Sequence, residues 1–160
     1  MTNSKLRVLL TRRWPQAVEE AMAQVLELRV NPDNKPMTQA ELADGLAWAD
    51  VLCPTVTDVV SAELLGAPSV RTRLLAHFGV GFNHIDMAAA KTAGIAVTNT
   101  PGVLTDATAE IAMTLLLNTA RRAGEGERLV RSGQWEGWHP THMLSTQVTG
   151  KTLGIVGMGR

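Results

Sequence analysis

Two glycine-containing segments of this sequence have the spacing of anion-binding turns. Gly157-Met158-Gly159 follows an apolar run at residues 153–156. A G-x-G pattern directly after a strand typically begins the turn that holds the pyrophosphate of a dinucleotide. We expect the third glycine of the pattern, and the helix that would follow it, to fall beyond Arg160. The context after a predicted strand therefore favours a cofactor turn over a simple turn.

The second segment, Gly79-Val80-Gly81, follows the predicted strand at residues 74–78. Open α/β sheets bind ligands at the carboxyl ends of their strands, and glycines let consecutive amides approach an anion closely. A small carboxylate would suit such a loop. A tight turn between strand and helix would explain the same residues, so both interpretations stay open at this point.

The four histidines give weaker indications of chemistry. His77 lies within a predicted strand, where a hydrogen-bonded core position is expected, whereas His84 follows the second glycine segment and could face a ligand. His139 and His142 are three residues apart, but without a third ligand they do not indicate a metal site. The sequence contains no paired-carboxylate motif, G-x-S-x-G elbow or P-loop.

The elements that would position these residues alternate between strand and helix in the first hundred residues. This alternation predicts a parallel sheet covered on both faces, and the fold class is therefore α/β, with a flavodoxin-like sheet. The strands are predicted at residues 6–10, 26–30, 50–54, 74–78 and 95–97, and the helices at residues 16–25, 38–49, 61–65 and 86–92.

The pattern changes after residue 100. Thr105 is predicted to cap a long helix that reaches Ala123, and its centre at residues 111–117 is apolar nearly all round. Such a helix is expected to be buried between domains or against a second subunit. A polar helix at 126–131 follows. Trp135 and Trp138 come next, and they indicate either local packing or a subunit interface.

The composition excludes several classes of protein. The 15 basic and 15 acidic residues give a net charge of zero without a basic stripe, which argues against a nucleic-acid partner. No apolar run is long enough to span a bilayer, and the first residues lack the apolar stretch of a signal peptide. The single Cys53 excludes an internal disulfide and is expected in the core. We therefore expect a cytoplasmic protein that binds neither membrane nor nucleic acid.

Three segments in the second half of the chain carry a family resemblance. They are HFGVGFNHID at residues 77–86, GIAVTNTPG at 94–102 and GKTLGIVGMGR at 150–160. Their order and spacing resemble those of the D-isomer-specific 2-hydroxyacid dehydrogenases, and within that family the glyoxylate and hydroxypyruvate reductase branch. The resemblance covers residues 74–160 clearly, while the first 70 residues agree mainly in their alternation of strands and helices.

The resemblance implies two α/β domains with the active site between them. Residues 1–103 would form the substrate-binding (catalytic) domain, residues 104–150 the crossing helix and the dimerisation region, and residues 151–160 the first strand and glycine turn of a truncated NAD(P)-binding domain. The amides of Val80 and Gly81 would hold the substrate carboxylate. The residues that would contribute to cofactor binding are Thr108, Gly157, Gly159 and Arg160.

The same resemblance implies NAD or NADP as cofactor, a small 2-keto or 2-hydroxy acid as substrate, and a homodimer. The arginine, glutamate and histidine with which the family performs catalysis have no counterpart among these 160 residues. We therefore assign no catalytic residue and no metal ligand, and expect the chain alone to be inactive. A corepressor-like dinucleotide-binding regulator and a stand-alone flavodoxin-like binding module remain as alternatives.

Overall fold

The computed structural model describes residues 5–159, which divide into two compact units that meet in sequence between Gly102 and Val103. Within residues 5–102, the chain forms β1 (Arg7–Leu10), α1 (Gln16–Val25), β2 (Glu27–Val30), α2 (Gln39–Trp48), β3 (Val51–Cys53), α3 (Ala62–Leu65), β4 (Leu74–Ala76), α4 (Met87–Thr92) and β5 (Ala96–Thr98). Within residues 103–159, it forms α5 (Thr105–Arg121) and α6 (Ala123–Arg131).

The five strands of the first unit form one parallel sheet in the order β2-β1-β3-β4-β5. Because successive side chains of a strand point to opposite faces, alternate residues of β1 enter two separate cores. Leu9 packs in the cluster that contains Leu42, Leu46 and Leu65 from α2 and α3, whereas Leu10 belongs to a cluster against which Met22 of α1 packs. The prediction of an α/β sheet with helices on both faces is confirmed.

Side-chain caps determine where the helices of the first unit begin. Thr38 and Glu41 form a reciprocal capping box at the start of α2, as the sequence predicts. The Asp86 carboxylate accepts a hydrogen bond from the Ala89 backbone N–H at the start of α4, and the Ser61 hydroxyl accepts one from Leu64 at the start of α3. Cys53 is buried, and burial raises the pKa of its thiol to about 12.

The prediction that Thr105 caps α5 is wrong. The N-cap residue is Leu104, and no side chain accepts a hydrogen bond from the first turn. The helix ends at Arg121 rather than Ala123, because Arg122 adopts a left-handed backbone conformation with φ of 55°. A second helix, α6, then begins at Ala123, three residues earlier than the sequence predicts.

The expected burial of α5 does not occur within this chain. No residue of α5 is buried, and its apolar centre is open to solvent, with Ile111 60% exposed and Leu115 60% exposed. Burial of a helix that is apolar nearly all round requires neighbours on every side. The described residues of the second unit supply only α6 and irregular segments, so the apolar surface stays uncovered.

The predicted strand at residues 153–156 is also absent. Residues 151–159 contain no strand, and Leu153, Ile155 and Val156 are 55%, 60% and 104% exposed. A strand is stabilised by hydrogen bonds to a neighbouring strand. Within residues 103–159 no strand is present to pair with this segment, so its apolar sequence alone does not produce one.

Candidate functional site

The carboxyl ends of four neighbouring strands meet at one edge of the sheet. Thr11 follows β1, Pro54 follows β3, His77 follows β4 and Asn99 follows β5. In open parallel sheets this edge is where ligands bind. The segment Gly79-Val80-Gly81, hereafter the glycine loop, begins two residues after His77 and therefore lies at this edge.

Three successive carbonyl oxygens of the glycine loop are held by donors from the adjoining strand ends. The Thr100 backbone N–H donates to Gly79 O at 2.9 Å. The Asn99 side-chain amide donates to Val80 O at 2.8 Å. His77 Nε2 lies 2.8 Å from Gly81 O. The backbone of the loop is thus fixed by hydrogen bonds at every one of its carbonyl groups.

These bonds determine the direction of the loop's amide groups. In a trans peptide the N–H points away from the C=O of the same planar unit. The Val80 N–H therefore points away from Thr100, and the Gly81 N–H points away from the Asn99 side chain. Among residues 5–159, neither N–H donates a hydrogen bond to another group. Two consecutive donors thus remain free to bind an anion.

The two glycines of the loop are required for different reasons. A Cβ on Gly79 would lie 2.6 Å from His77 Nε2 and 3.2 Å from Val56 Cγ1, so any side chain there would displace the histidine ring. A Cβ on Gly81 would meet nothing within 4 Å. Gly79 therefore permits close packing of the loop on His77, whereas Gly81 leaves open space beside its own N–H.

His77 and His84 pack against each other close to the glycine loop, with their ring planes tilted by 59°. His77 is buried, and its ring centroid lies 4.6 Å from that of His84. His84 Nε2 is buried and has no hydrogen-bond partner among residues 5–159. Burial lowers the pKa of His84, the charge of His77 lowers it further, and the Asp58 carboxylate opposes both effects. A core position for His77 is confirmed.

A buried carboxylate lies between the carboxyl ends of β1 and β3. This is the topological switch point of the sheet, because β2 lies on one side of β1 and β3 on the other. Asp58 is fully buried, and its Oδ2 accepts hydrogen bonds from the Thr11 hydroxyl at 2.5 Å and from the Thr55 backbone N–H at 2.7 Å. Its Oδ1 has no partner among the described residues. Such folds often bind ligands at this point, but a buried carboxylate does not attract an anion, so the glycine loop with its two free N–H groups is the better candidate for one.

The candidate cofactor residues lie in the second unit, apart from Arg160, which is outside the described residues. Thr108 is exposed in the first turn of α5, and its hydroxyl donates to Leu104 O at 2.8 Å. Gly157 has a φ of 88°, a conformation suited to glycine, and a Cβ on Gly157 or Gly159 would meet nothing within 4 Å. Their place in a pyrophosphate turn stays a prediction.

Acidic, histidine and cysteine side chains do not gather into a metal site. Among the described residues, no group of three or more such side chains could hold a metal ion. His139 and His142 stack edge to face with ring centroids 4.9 Å apart, and the Thr141 hydroxyl lies 3.3 Å from His139 Nδ1. In residues 5–159, no helix is both long and apolar enough to cross a bilayer.

Sequence reasoning missed two residues that hold the glycine loop. No role was predicted for Asn99, although its side chain donates to Val80 O. His77 was expected in the core, but its contact with Gly81 O was not predicted. The contact of Asn99 follows from the pairing of β5 with β4, whereas His77 reaches a carbonyl only four residues further along the chain.

Comparison with known proteins identifies the family. The sequence model of the D-isomer specific 2-hydroxyacid dehydrogenase catalytic domain matches residues 8–155. The chain belongs to this family. The glyoxylate reductase of Thermococcus litoralis is 43% identical over 161 residues, covering 98% of this chain and 48% of that protein. The glycerate dehydrogenase of Hyphomicrobium methylovorum is 36% identical over 156 residues, with 98% and 48% coverage.

Solved structures of the same family agree with the fold. A structure from Polaromonas sp. JS6 66, which bears the family's name, has a TM-score of 0.88 and 43% identity over 97% of this chain and 49% of that chain. The NADPH-dependent glyoxylate/hydroxypyruvate reductase of Sinorhizobium meliloti, solved with NADP and malonate, has a TM-score of 0.74 and 29% identity, with 98% and 47% coverage. The chain spans about half the length of the relatives it matches, such as 48% of the Thermococcus litoralis protein.

Proposed function

We propose that this chain is the substrate-binding part of an NAD(P)-dependent oxidoreductase that reduces a small 2-keto acid, glyoxylate or hydroxypyruvate, to the 2-hydroxy acid. The observation that carries the proposal is the pair of free amides in the glycine loop, at Val80 and Gly81. Their fixed direction and the open space beside Gly81 suit a small carboxylate. The names of the family relatives, glyoxylate reductase and glycerate dehydrogenase, support a substrate of this class.

The contribution of this chain to the reaction is binding and orientation. A bound nicotinamide would supply the hydride that reduces the keto carbon. The Val80 and Gly81 N–H groups hold the substrate carboxylate, which fixes the adjacent keto carbon relative to the rest of the site. We expect none of the four histidines of this chain to supply the proton for the carbonyl oxygen, because none matches the family's catalytic motif.

The cofactor residues and the division into domains belong to the same proposal. Thr108 would lie near the nicotinamide, and Gly157, Gly159 and Arg160 would begin the turn that holds the pyrophosphate of NAD or NADP. A relative solved with NADP supports a nicotinamide dinucleotide. In this proposal residues 1–103 bind the substrate, residues 104–150 cross between domains, and residues 151–160 start the cofactor domain.

Dimerisation through the second unit completes the proposal. Trp135 and Trp138 pack edge to face with ring centroids 5.6 Å apart, yet Trp138 is 89% exposed. Together with the exposed apolar centre of α5, this surface is suited to contact a second copy of the protein. Sedimentation of the protein at several concentrations tests the dimer.

The activity is tested by following oxidation of NADH and NADPH with glyoxylate and with hydroxypyruvate. We expect no turnover by the 160-residue chain at its verified mass of 17.2 kDa. We expect turnover by a chimera in which residues 1–150 replace the corresponding part of the Thermococcus litoralis glyoxylate reductase. Turnover by the pure chain would contradict the expectation that no residue of this chain donates the proton. A chimera that binds NADPH but reduces neither acid would contradict the proposed function.

A matched pair of variants in the chimera tests the carboxylate site. Gly81→Val should raise the KM for glyoxylate by about tenfold or more, because its branched side chain would occupy the open space beside Gly81 and keep the carboxylate from the charge-assisted hydrogen bond with the Gly81 N–H. Gly81→Ala should have a smaller effect, and the KM for NADPH should change in neither variant. An unchanged KM for glyoxylate in Gly81→Val would reduce the glycine loop to a simple turn.

A further inference from the structure

His77 makes two hydrogen bonds with the backbone of different segments. Its Nε2 lies 2.8 Å from Gly81 O, and its Nδ1 lies 3.0 Å from Pro54 O. A carbonyl oxygen only accepts hydrogen bonds, so the bond to Gly81 requires a proton on Nε2. Both bonds form together only when both ring nitrogens are protonated. The ring thus ties the glycine loop to the end of β3.

The ring has little freedom to leave this position. The side chain is 2% exposed, and the His84 ring packs against it with a centroid distance of 4.6 Å. The absence of a side chain at Gly79 leaves the space that the ring occupies, since a Cβ there would lie 2.6 Å from Nε2. The titratable group that packs against the ring is His84, whose pKa is influenced by both His77 and Asp58. His77 is therefore a rigid support for the loop.

The bond to Gly81 completes the set that orients the loop. Thr100 and Asn99 hold the carbonyls of Gly79 and Val80, which directs the N–H groups of Val80 and Gly81. The bond from His77 holds the next carbonyl, that of Gly81. Gly81 is therefore held at its carbonyl end, while its N–H stays free. Without the bond from His77, the peptide unit after Gly81 is no longer held and can rotate about the backbone torsions of a glycine, which has the largest conformational freedom.

We propose that His77 is a positioning residue for substrate binding, which acts through the Gly81 carbonyl. It holds the peptide unit that follows Gly81 and so limits movement of the loop whose Gly81 N–H, directed by the Asn99 bond to Val80 O, points at the carboxylate of a 2-keto acid. The inference rests on the proposed function of the glycine loop. His77 does not touch the substrate in this arrangement. Its loss should therefore weaken binding of the acid and leave binding of the nicotinamide dinucleotide unchanged.

The test is a titration of the isotopically labelled 160-residue chain with glyoxylate, followed at the amide resonances of Val80 and Gly81. His77→Leu removes both hydrogen bonds, whereas His77→Gln retains one donor that can reach Gly81 O. His142→Gln, in the second unit, is the matched control. We expect the Kd to rise about tenfold in His77→Leu, to rise less in His77→Gln and to be unchanged in the control, because one hydrogen bond contributes a factor of this order.

The outcomes separate the inference from the proposed function. If glyoxylate shifts neither amide in the unaltered chain, the proposed carboxylate site is wrong and the inference falls with it. If the unaltered chain responds and a folded His77→Leu variant binds equally well, only the inference is wrong. In the chimera, His77→Gln should raise the KM for glyoxylate with little change in kcat or in the KM for NADPH.

A measurement without substitution covers the case in which His77→Leu does not fold. The ring nitrogens of His77 are observed directly in the labelled, unaltered chain. A proton on Nε2, with scalar coupling across the hydrogen bond to the Gly81 carbonyl carbon, would support the inference. A ring in which Nε2 carries no proton under conditions where glyoxylate binds would overturn it.

Discussion

The two units of this chain contain apolar segments of similar character but bury them to very different extents. In the first unit Leu46, Leu52 and Leu75 are fully buried between sheet and helices. In the second unit no residue of α5 or α6 is buried, although α5 contains the run 111–117. A helix thus forms from the apolar sequence of α5 alone. Burial of its side chains needs neighbouring helices or a sheet, which the first unit contains and the described residues of the second unit do not.

Amide hydrogen exchange should give the largest contrast between the units. Amides of β1 and β3, which pair with strands on both sides, should be protected by at least about a thousandfold. Amides of residues 151–159 should exchange at nearly the rate of an unstructured peptide, because no strand pairs with them. Strong protection at residues 153–156 in a monomeric sample would contradict this contrast.

Truncation of matched leucines should give the next largest effect. Leu52→Ala should lower the free energy of unfolding of the first unit by about 2–5 kcal/mol, because Leu52 is fully buried. Leu115→Ala should lower the free energy of unfolding of the second unit by less than about 0.5 kcal/mol, because Leu115 is 60% exposed. Urea unfolding followed by circular dichroism measures both. Equal losses would show that α5 has a buried face in solution.

The helix starts of the two units differ in a way that a pair of threonines can test. Thr38→Ala should cost about 1 kcal/mol, because the Thr38 hydroxyl caps α2. Thr105→Ala should cost less than about 0.5 kcal/mol, because Thr105 is not the N-cap of α5. Thermal unfolding of both variants provides the comparison. A comparable loss in Thr105→Ala would restore the sequence-based assignment of the cap.

The smallest expected effect is a pH dependence of the first unit. The side-chain hydrogen bond from Arg13 and the backbone N–H of Trp14 hold the pKa of Glu19 below its ordinary value of 4.5. The carboxylate therefore adds stability above pH 4.5, and this contribution is lost as the pH falls through the lower pKa of the folded state. Since Arg13 is half exposed, solvent screens the pair.

A Glu19→Gln variant should therefore show a weaker loss of urea resistance on acidification than the unaltered chain. Glu20→Gln is the matched control, since Glu20 bonds only to Gln16 on the exposed side of α1. The midpoints of urea unfolding at neutral and acidic pH measure the difference. The same acid dependence in Glu19→Gln and Glu20→Gln would show that the Arg13 pair has no role in acid stability.

Most elements of the first unit could be predicted from short stretches of sequence, because the signals for each helix and strand lie within or beside that element. The run of α1 at Gln16–Val25 and the capping box of α2 were both predictable from neighbouring residues. The prediction of a strand at 153–156 failed because a strand forms only when another strand is available to pair with it. The sequence carried the pattern in both cases, but only the first unit contained the neighbours that the pattern requires.

The candidate site was only half predictable for a similar reason. The position of the glycine loop follows from glycines at a strand end. The roles of Val80 and Gly81 come from the family resemblance and stay a prediction. The hydrogen bond from Asn99 to the loop depends on how β4 and β5 lie side by side, which a local pattern does not contain. The bond of His77 depends on the conformation of the loop itself and on the position of the ring against Pro54. The contacts that orient a binding loop are thus less visible in sequence than the loop itself.

Titration of the labelled 160-residue chain with glyoxylate tests the central claim most directly, because it reports on every amide of both units at once. The account predicts saturable shifts at Val80 and Gly81, with smaller changes at their supports His77 and Asn99 and none in residues 103–159. Saturable shifts confined to other residues, with the amides of the glycine loop unmoved, would contradict the assignment of this loop as the carboxylate site.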